Sequence, residues 1–199
     1  MTVRLGIMGG TFDPIHNVHL LKASEAAHRL GLDEVVFIPA GSPWQKDPRG
    51  VSDAEERYAM TKLAVAPDPR FSASRMEIDR AGPTYTVDTL RELRRLYGHR
   101  ARLYFIAGAD VLGSIGTWHE AWSLKELAHF VFCSRQGYEL ADGALPLRDR
   151  VTLLHVPVWE ISSTVIRRRV SRGQPIRYLV PDPVADHIVR RGLYRAGAH

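Results

Sequence analysis

The sequence has 199 residues, 45% of them hydrophobic and 25% charged, which is enough to enclose a core without disulfide or metal staples. Its apolar runs are short, as in Val35-Val36-Phe37-Ile38, and it has one cysteine, Cys133; this argues against a membrane span, a disulfide scaffold, a zinc ribbon and an iron–sulfur centre. Twenty-seven Lys and Arg against 22 Asp and Glu give a net charge of +5, which favours a polyanionic partner, either nucleic acid or a phosphorylated small molecule. The lone thiol and the lack of a basic, apolar and small-residue leader pattern predict a cytoplasmic protein.

Along the chain, residues 3–8 read as a buried strand, followed by Gly9-Gly10 and a helix over 17–30 that Gly31 closes. A second strand is expected over 35–39. Ser52 and Glu55 form a capping-box pattern ahead of a helix carrying Tyr58, Met60, Leu63 and Ala64. Thr86 or Asp88 opens a helix with Leu90, Leu93 and Leu96, and Gly98 ends it. Strands are expected over 103–106, 130–133 and 151–156, and helices over 162–172 and 183–191. Trp122 is expected to pack its helix against the sheet, and 136–150 reads as a surface loop.

Alternating strands and helices without internal repeats predict an α/β fold in one domain over 1–199. Its expected form is a Rossmann-like, doubly wound parallel sheet in three layers. Ligands of such sheets bind beyond the carboxyl ends of the strands. The residues after Met8, Pro39, Ile106 and Val156 should therefore converge on one cleft.

The first of these strand ends reads Gly9-Gly10-Thr11-Phe12-Asp13-Pro14-Ile15-His16-Asn17-Val18-His19. It is neither the G-x-G-x-x-G fingerprint nor a Walker loop. The zinc-protease helix needs histidines four apart with a glutamate between, whereas His16 and His19 are three apart. Paired glycines let main chain approach a phosphate, and two histidines on the first turn of a helix can donate hydrogen bonds to one. The stretch resembles the H-x-G-H signature of the nucleotidyltransferases related to class I tRNA synthetases. In its wording it is most similar to the nicotinate mononucleotide adenylyltransferases. That resemblance implies the nucleotidyltransferase fold, with ATP bound by Gly9, Gly10, Thr11, Phe12, His16 and His19. Val18 stands where the family has glycine, and a β-branched side chain there is expected to crowd the nucleotide.

The resemblance extends along the chain. Lys46, on the loop after the second strand, would reach over the phosphates. Ile161-Ser162-Ser163-Thr164-Val165-Ile166-Arg167 matches a family motif that holds the β- and γ-phosphates, so the region from about 162 would complete the ATP site. Arg168 and Arg169 read as solvated charge. Tyr85 and Thr86, in Gly-Pro-Thr-Tyr-Thr, would hold the acceptor's carboxylate; Gly108 and Asp110 its ribose; Trp118 its pyridine ring. Arg135 would add a further contact.

The implied catalytic set is His16, His19, Lys46 and Arg167, with Mg²⁺ arriving on ATP and no protein-held metal. The implied reaction is transfer of AMP from ATP to nicotinate mononucleotide, with release of pyrophosphate. The expected partners are these two substrates, with neither nucleic acid nor membrane, and self-association is left open. The alternatives are a related enzyme acting on nicotinamide mononucleotide or phosphopantetheine, and a nucleotide-binding homologue whose catalysis Val18 impairs. An RNA-binding module would call for RNP-type aromatic motifs, which the sequence lacks.

Overall fold

The computed structural model describes residues 2–43, 47, 50–134, 146–147, 150–157 and 160–195. Six strands are found among them: β1 (Val3–Gly10), β2 (Glu34–Pro39), β3 (Phe71–Ala73), β4 (Ala101–Gly108), β5 (His129–Ser134) and β6 (Val151–His155). All pair in parallel, in the order β3-β2-β1-β4-β5-β6. The helices are α1 (Asn17–Leu30), α2 (Ala54–Val65), α3 (Thr86–Tyr97), α4 (Leu124–Leu127), α5 (Ser163–Ser171) and α6 (Asp182–Arg191).

Period-two alternation sends neighbouring strand residues to opposite faces, and each face has its own core. Val35 and Phe37 of β2, Tyr104 and Ile106 of β4, and Val131 and Cys133 of β5 face α1, α2, α5 and α6. Val36 and Ile38, Leu103 and Phe105, and Phe130 and Phe132 face α3 and α4. The result is the three-layer, doubly wound sheet expected from the sequence. No helix among the described residues is long and apolar enough to cross a membrane.

Several local expectations are corrected. β1 runs through Gly9-Gly10 rather than stopping before them. The cap of α2 is Asp53, whose Oδ1 accepts from Glu55 N at 2.8 Å. Ser52 is occupied elsewhere, as its N–H donates to Asp13 and its carbonyl accepts from Arg57. Tyr85 caps α3, and Thr86 is its first residue. Leu96 is 61% exposed and Trp122 65%. Trp122 lies in a single 3₁₀ turn, Ala121–Ser123, that buries Ala121 instead. β3, a strand the sequence did not predict, is followed by turns before Gly-Pro-Thr-Tyr-Thr. Most of the loop expected over 136–150 lies outside the described residues.

Candidate active site

The strand order reverses between β1 and β4, which each begin a crossover to an opposite side of the sheet. A cavity of about 410 Å³ opens there. Its floor is the carboxyl ends of β1 and β4, from Gly9 to Thr11 and from Phe105 to Gly108. Ala40 and Pro43, after β2, form part of its rim. Among the described residues none at the end of β6, two strands further out, lines it, whereas residues after Met8, Pro39 and Ile106 do.

α1 delivers the histidine pair. His16 is the N-cap residue in extended conformation, and Gly31 closes the helix in the left-handed region with φ 56°. The imidazoles of His16 and His19 lie face to face, centroids 3.8 Å apart, as two residues on one turn can. Phe12, buried and itself left-handed with φ 50°, meets His19 edge-on at 5.1 Å. His19 Nδ1 accepts from His16 N at 3.2 Å, which leaves the proton of the neutral ring on Nε2. His19 lines the cavity, whereas His16 is 5% exposed and does not. Burial, with the Lys22 ammonium second, lowers His16 to about 4, so its imidazole is neutral at pH 7. Among the described residues its buried Nδ1 has no hydrogen-bond partner. Val18 is buried and is not among the cavity's lining residues.

The loop between β1 and α1 is held from far along the chain. Ser163 Oγ donates to Pro14 O at 2.9 Å, and Arg167 Nη1 to Asp13 O at 2.7 Å. Tyr194 OH donates to Asp13 Oδ1 at 2.6 Å. Asn17 donates from its main chain to Leu179 O and from its side chain to Tyr178 O. The Ile-Ser-Ser-Thr motif thus meets the Gly-Gly-Thr-Phe-Asp-Pro motif, with Ser162 capping α5 by accepting from Val165 N. Ile161 is half-buried and Thr164 exposed. Arg169 is not simply solvated, because its Nε donates to Pro175 O at 2.8 Å.

The opposite wall is aromatic. Tyr85 and His119 stack at 4.4 Å, and Trp118 stands edge-on to Phe105 at 6.1 Å. Thr84 and Thr86 flank Tyr85 on the wall, and Thr84 Oγ1 accepts from Ser42 N at 3.1 Å. Gly108 and Asp110 complete the cavity at the end of β4. Lys46 and Arg135 lie outside the described residues.

Three residues at or beside the cavity were not foreseen. Arg57 is 1% exposed and gives hydrogen bonds to four carbonyls: Nε to Ser52 at 2.9 Å, Nη1 to Thr11 at 2.9 Å and Ala40 at 2.6 Å, and Nη2 to Gly41 at 3.1 Å. It clamps the chain leaving β1 to the chain leaving β2. Lys22 enters the cavity one turn after His19. Glu77, 5% exposed, also lines it and accepts from Thr89 Oγ1 at 2.5 Å. Gly41 cannot be replaced beside it, as an added Cβ would lie 2.0 Å from Glu77 O.

Burial pushes Glu77 up to about 7, against the pull of Thr89 and Arg80 and with a push from Glu92. A carboxyl raised in the folded state gives up its proton first in the unfolded chain. Stability is therefore complete below the unfolded value near 4.5 and falls as pH rises towards 7. Above 7 the cost levels off at about 3 kcal/mol. Glu77→Gln keeps an acceptor for Thr89 without the charge. It is expected to be about 1–3 kcal/mol more stable than the parent at pH 8 and no more stable at pH 4.5, by urea unfolding at both pH values. An equal effect at the two pH values would contradict this.

Among the described residues, no group of three or more His, Cys, Asp or Glu is placed to hold a metal ion. Asp13, the carboxylate nearest the motif, is 2% exposed and has its oxygens taken by Tyr194 OH and Ser52 N–H.

The 3-2-1-4-5-6 parallel sheet, with a histidine pair beside its switch point and the start of α5 docked on the same loop, is the arrangement expected of a nucleotidyltransferase. The cytidylyltransferase-like family profile matches residues 7–169. A probable nicotinate-nucleotide adenylyltransferase of Salinispora arenicola is 55% identical over 188 residues, covering 94% of this chain and 100% of the relative. Another, of Frankia alni, is 58% identical over 194 residues, covering 96% and 100%. Plasmodium falciparum nicotinic acid mononucleotide adenylyltransferase complexed with NaAD has the same fold, with TM-score 0.78 over 96% of this chain and 97% of that one at 19% identity. The chain belongs to the nicotinate-nucleotide adenylyltransferases, within the cytidylyltransferase-like family.

Proposed function

We propose that this protein transfers AMP from ATP to nicotinate mononucleotide, forming nicotinate adenine dinucleotide and pyrophosphate. The observation that carries this reading is the cavity at the strand reversal, with His19 on one side and the Tyr85–Trp118–His119 wall on the other. One side suits phosphates, the other a flat heteroaromatic ring.

The acceptor's phosphate monoester is already an anion at pH 7, so it attacks the α-phosphorus of ATP in line without a serine or cysteine nucleophile. The protein's work is to hold two anions together and to stabilise the charge that builds up. His19 supplies a hydrogen-bond donor there from the cavity wall, with the buried, neutral His16 imidazole packed behind it. The N-terminus of α5 and Arg167 offer positive potential to the leaving pyrophosphate, and Lys46 is the candidate for a further ammonium. Asp110 accepts hydrogen bonds from ribose hydroxyls, and Tyr85, Thr86 and Arg135 hold the acceptor. Mg²⁺ enters as a substrate complex with ATP, and no step runs through a protein-held ion. The cytoplasm suits Cys133, whose buried thiol is pushed up to about 11 and is correspondingly inert.

The test is to mix the protein with ATP, Mg²⁺ and nicotinate mononucleotide, with nicotinamide mononucleotide and phosphopantetheine in parallel, and to measure pyrophosphate and dinucleotide. Turnover with the acid ahead of the other acceptors is expected. A folded, ATP-binding protein that turns over none of them would overturn the reading and make Val18→Gly the next variant. Trp118→Ala is expected to raise KM for the acceptor roughly tenfold, the scale of one lost ring-stacking contact, with a smaller change in kcat. An unchanged KM would mean that the ring binds elsewhere.

A further inference from the structure

Lys22 is unused by the reaction as derived, yet its ammonium belongs to the cleft. It is half-buried on α1, three residues after His19. Helical side chains lean towards the helix N-terminus, which carries the Lys22 stem back to the carboxyl edge of the sheet. There it shares a small space with Asp110: a Cβ added to Gly108 would lie 2.0 Å from Asp110 Oδ1 and 2.8 Å from Lys22 Nζ. The glycine is what lets both groups approach the end of β4. The two charges do not pair with each other, as no ion pair within 4.0 Å joins them. Among the described residues Lys22 has no ion pair at all within that distance.

A carboxylate accepts hydrogen bonds only and an ammonium donates only. Side by side over bare main chain, they complement a group that does both twice over, a vicinal diol. A phosphate in the same place would be drawn by Lys22 and repelled by Asp110. We infer that Lys22 and Asp110 together grip the cis-diol of a substrate ribose, with Lys22 setting the preference for ribonucleotides over deoxyribonucleotides. This deepens the proposed adenylyl transfer and rests on it. Either substrate, ATP or the acceptor, brings a ribose.

The test compares the full-length protein with Lys22→Met, which keeps the stem and removes the donor. Each is assayed with ATP against 2′-deoxy-ATP, and with the acceptor mononucleotide against its 2′-deoxy form. Circular dichroism and melting confirm that the variant is folded, and Lys22→Gln, which retains an N–H donor, is run alongside. On one of the two arms the parent is expected to prefer the ribonucleotide by roughly 10- to 100-fold in KM, the worth of one charge-assisted hydrogen bond. On that arm Lys22→Met loses most of the preference and Lys22→Gln keeps part of it. The arm that responds identifies the ribose. Unchanged discrimination on both arms overturns the inference. So does an equal rise in KM for ribo and deoxy forms, which would place Lys22 on a phosphate. Failure of the adenylyl transfer itself reads differently, as no turnover by the parent; ATP and 2′-deoxy-ATP are then compared by calorimetric binding to parent and Lys22→Met, where an equal ratio again overturns the inference.

Discussion

His19→Ala is expected to lower kcat/KM by about 10²–10³ or more, the scale on which one preorganised donor to developing charge acts. Its urea unfolding free energy is expected to stay within about 1.5 kcal/mol of the parent, the scale of the ring's contacts with Phe12 and His16. The reason for so uneven an effect is the tautomer. His16 N–H occupies Nδ1, so the neutral form of the His19 ring carries its proton on Nε2. His19→Gln, whose amide can donate from a similar distance, is expected to recover part of the rate. Parent-like activity in His19→Ala would remove the mechanism proposed for this site.

Arg57→Met is expected to cost about 3–5 kcal/mol of stability and to lower the melting temperature by about 10 °C. The substitution is close in volume, so the loss comes from hydrogen bonding. The carbonyls of Thr11, Ala40, Gly41 and Ser52 all lose their guanidinium donor, and an unpaired buried polar group costs about 1–3 kcal/mol. Thr11 and Ala40 line the cavity, so the variant should also bind ATP more weakly at temperatures where it is folded. Arg57→Lys offers a compact ammonium without the planar fork and is expected to fall between the two. A loss below about 1 kcal/mol in Arg57→Met would show that water replaces the donors and that the clamp is not what holds the two loops.

Arg57 also shows where reading the sequence stops. Arg57, Met60, Thr61 and Ala64 are all buried, so the arginine repeats at the spacing of a core-facing stripe. That spacing is visible in the sequence. Which carbonyls it would meet is not, because they come from two loops brought together by the sheet. The sheet itself was legible, because buried parallel strands are short apolar runs and helices between them carry their own stops, as at Gly31 and Gly98. β3 has three half-buried residues and no comparable signal. The 3₁₀ segment Ala109–Thr117 buries Ala109, Leu112 and Ile115, a period of three that two glycines obscure. The histidine motif was readable because its residue types carry the chemistry. Lys22 and Glu77 gain their character from surroundings assembled by the fold, an ammonium over Gly108 and a carboxyl without water.

The ties on the β1–α1 loop also fix an order in time. Asp13 and Pro14 are early in synthesis, but the groups that hold them are Ser163, Arg167 and Tyr194, separated from them by 149 to 181 positions. At about 5–20 residues per second, a ribosome takes roughly 10–40 s to travel from Asp13 to Tyr194. Throughout that interval the nascent chain carries the nucleotide motif without its supports. The nucleotide end of the cleft is therefore a late product of translation, and a chain stalled before Tyr194 has the histidines but not the frame that aims them.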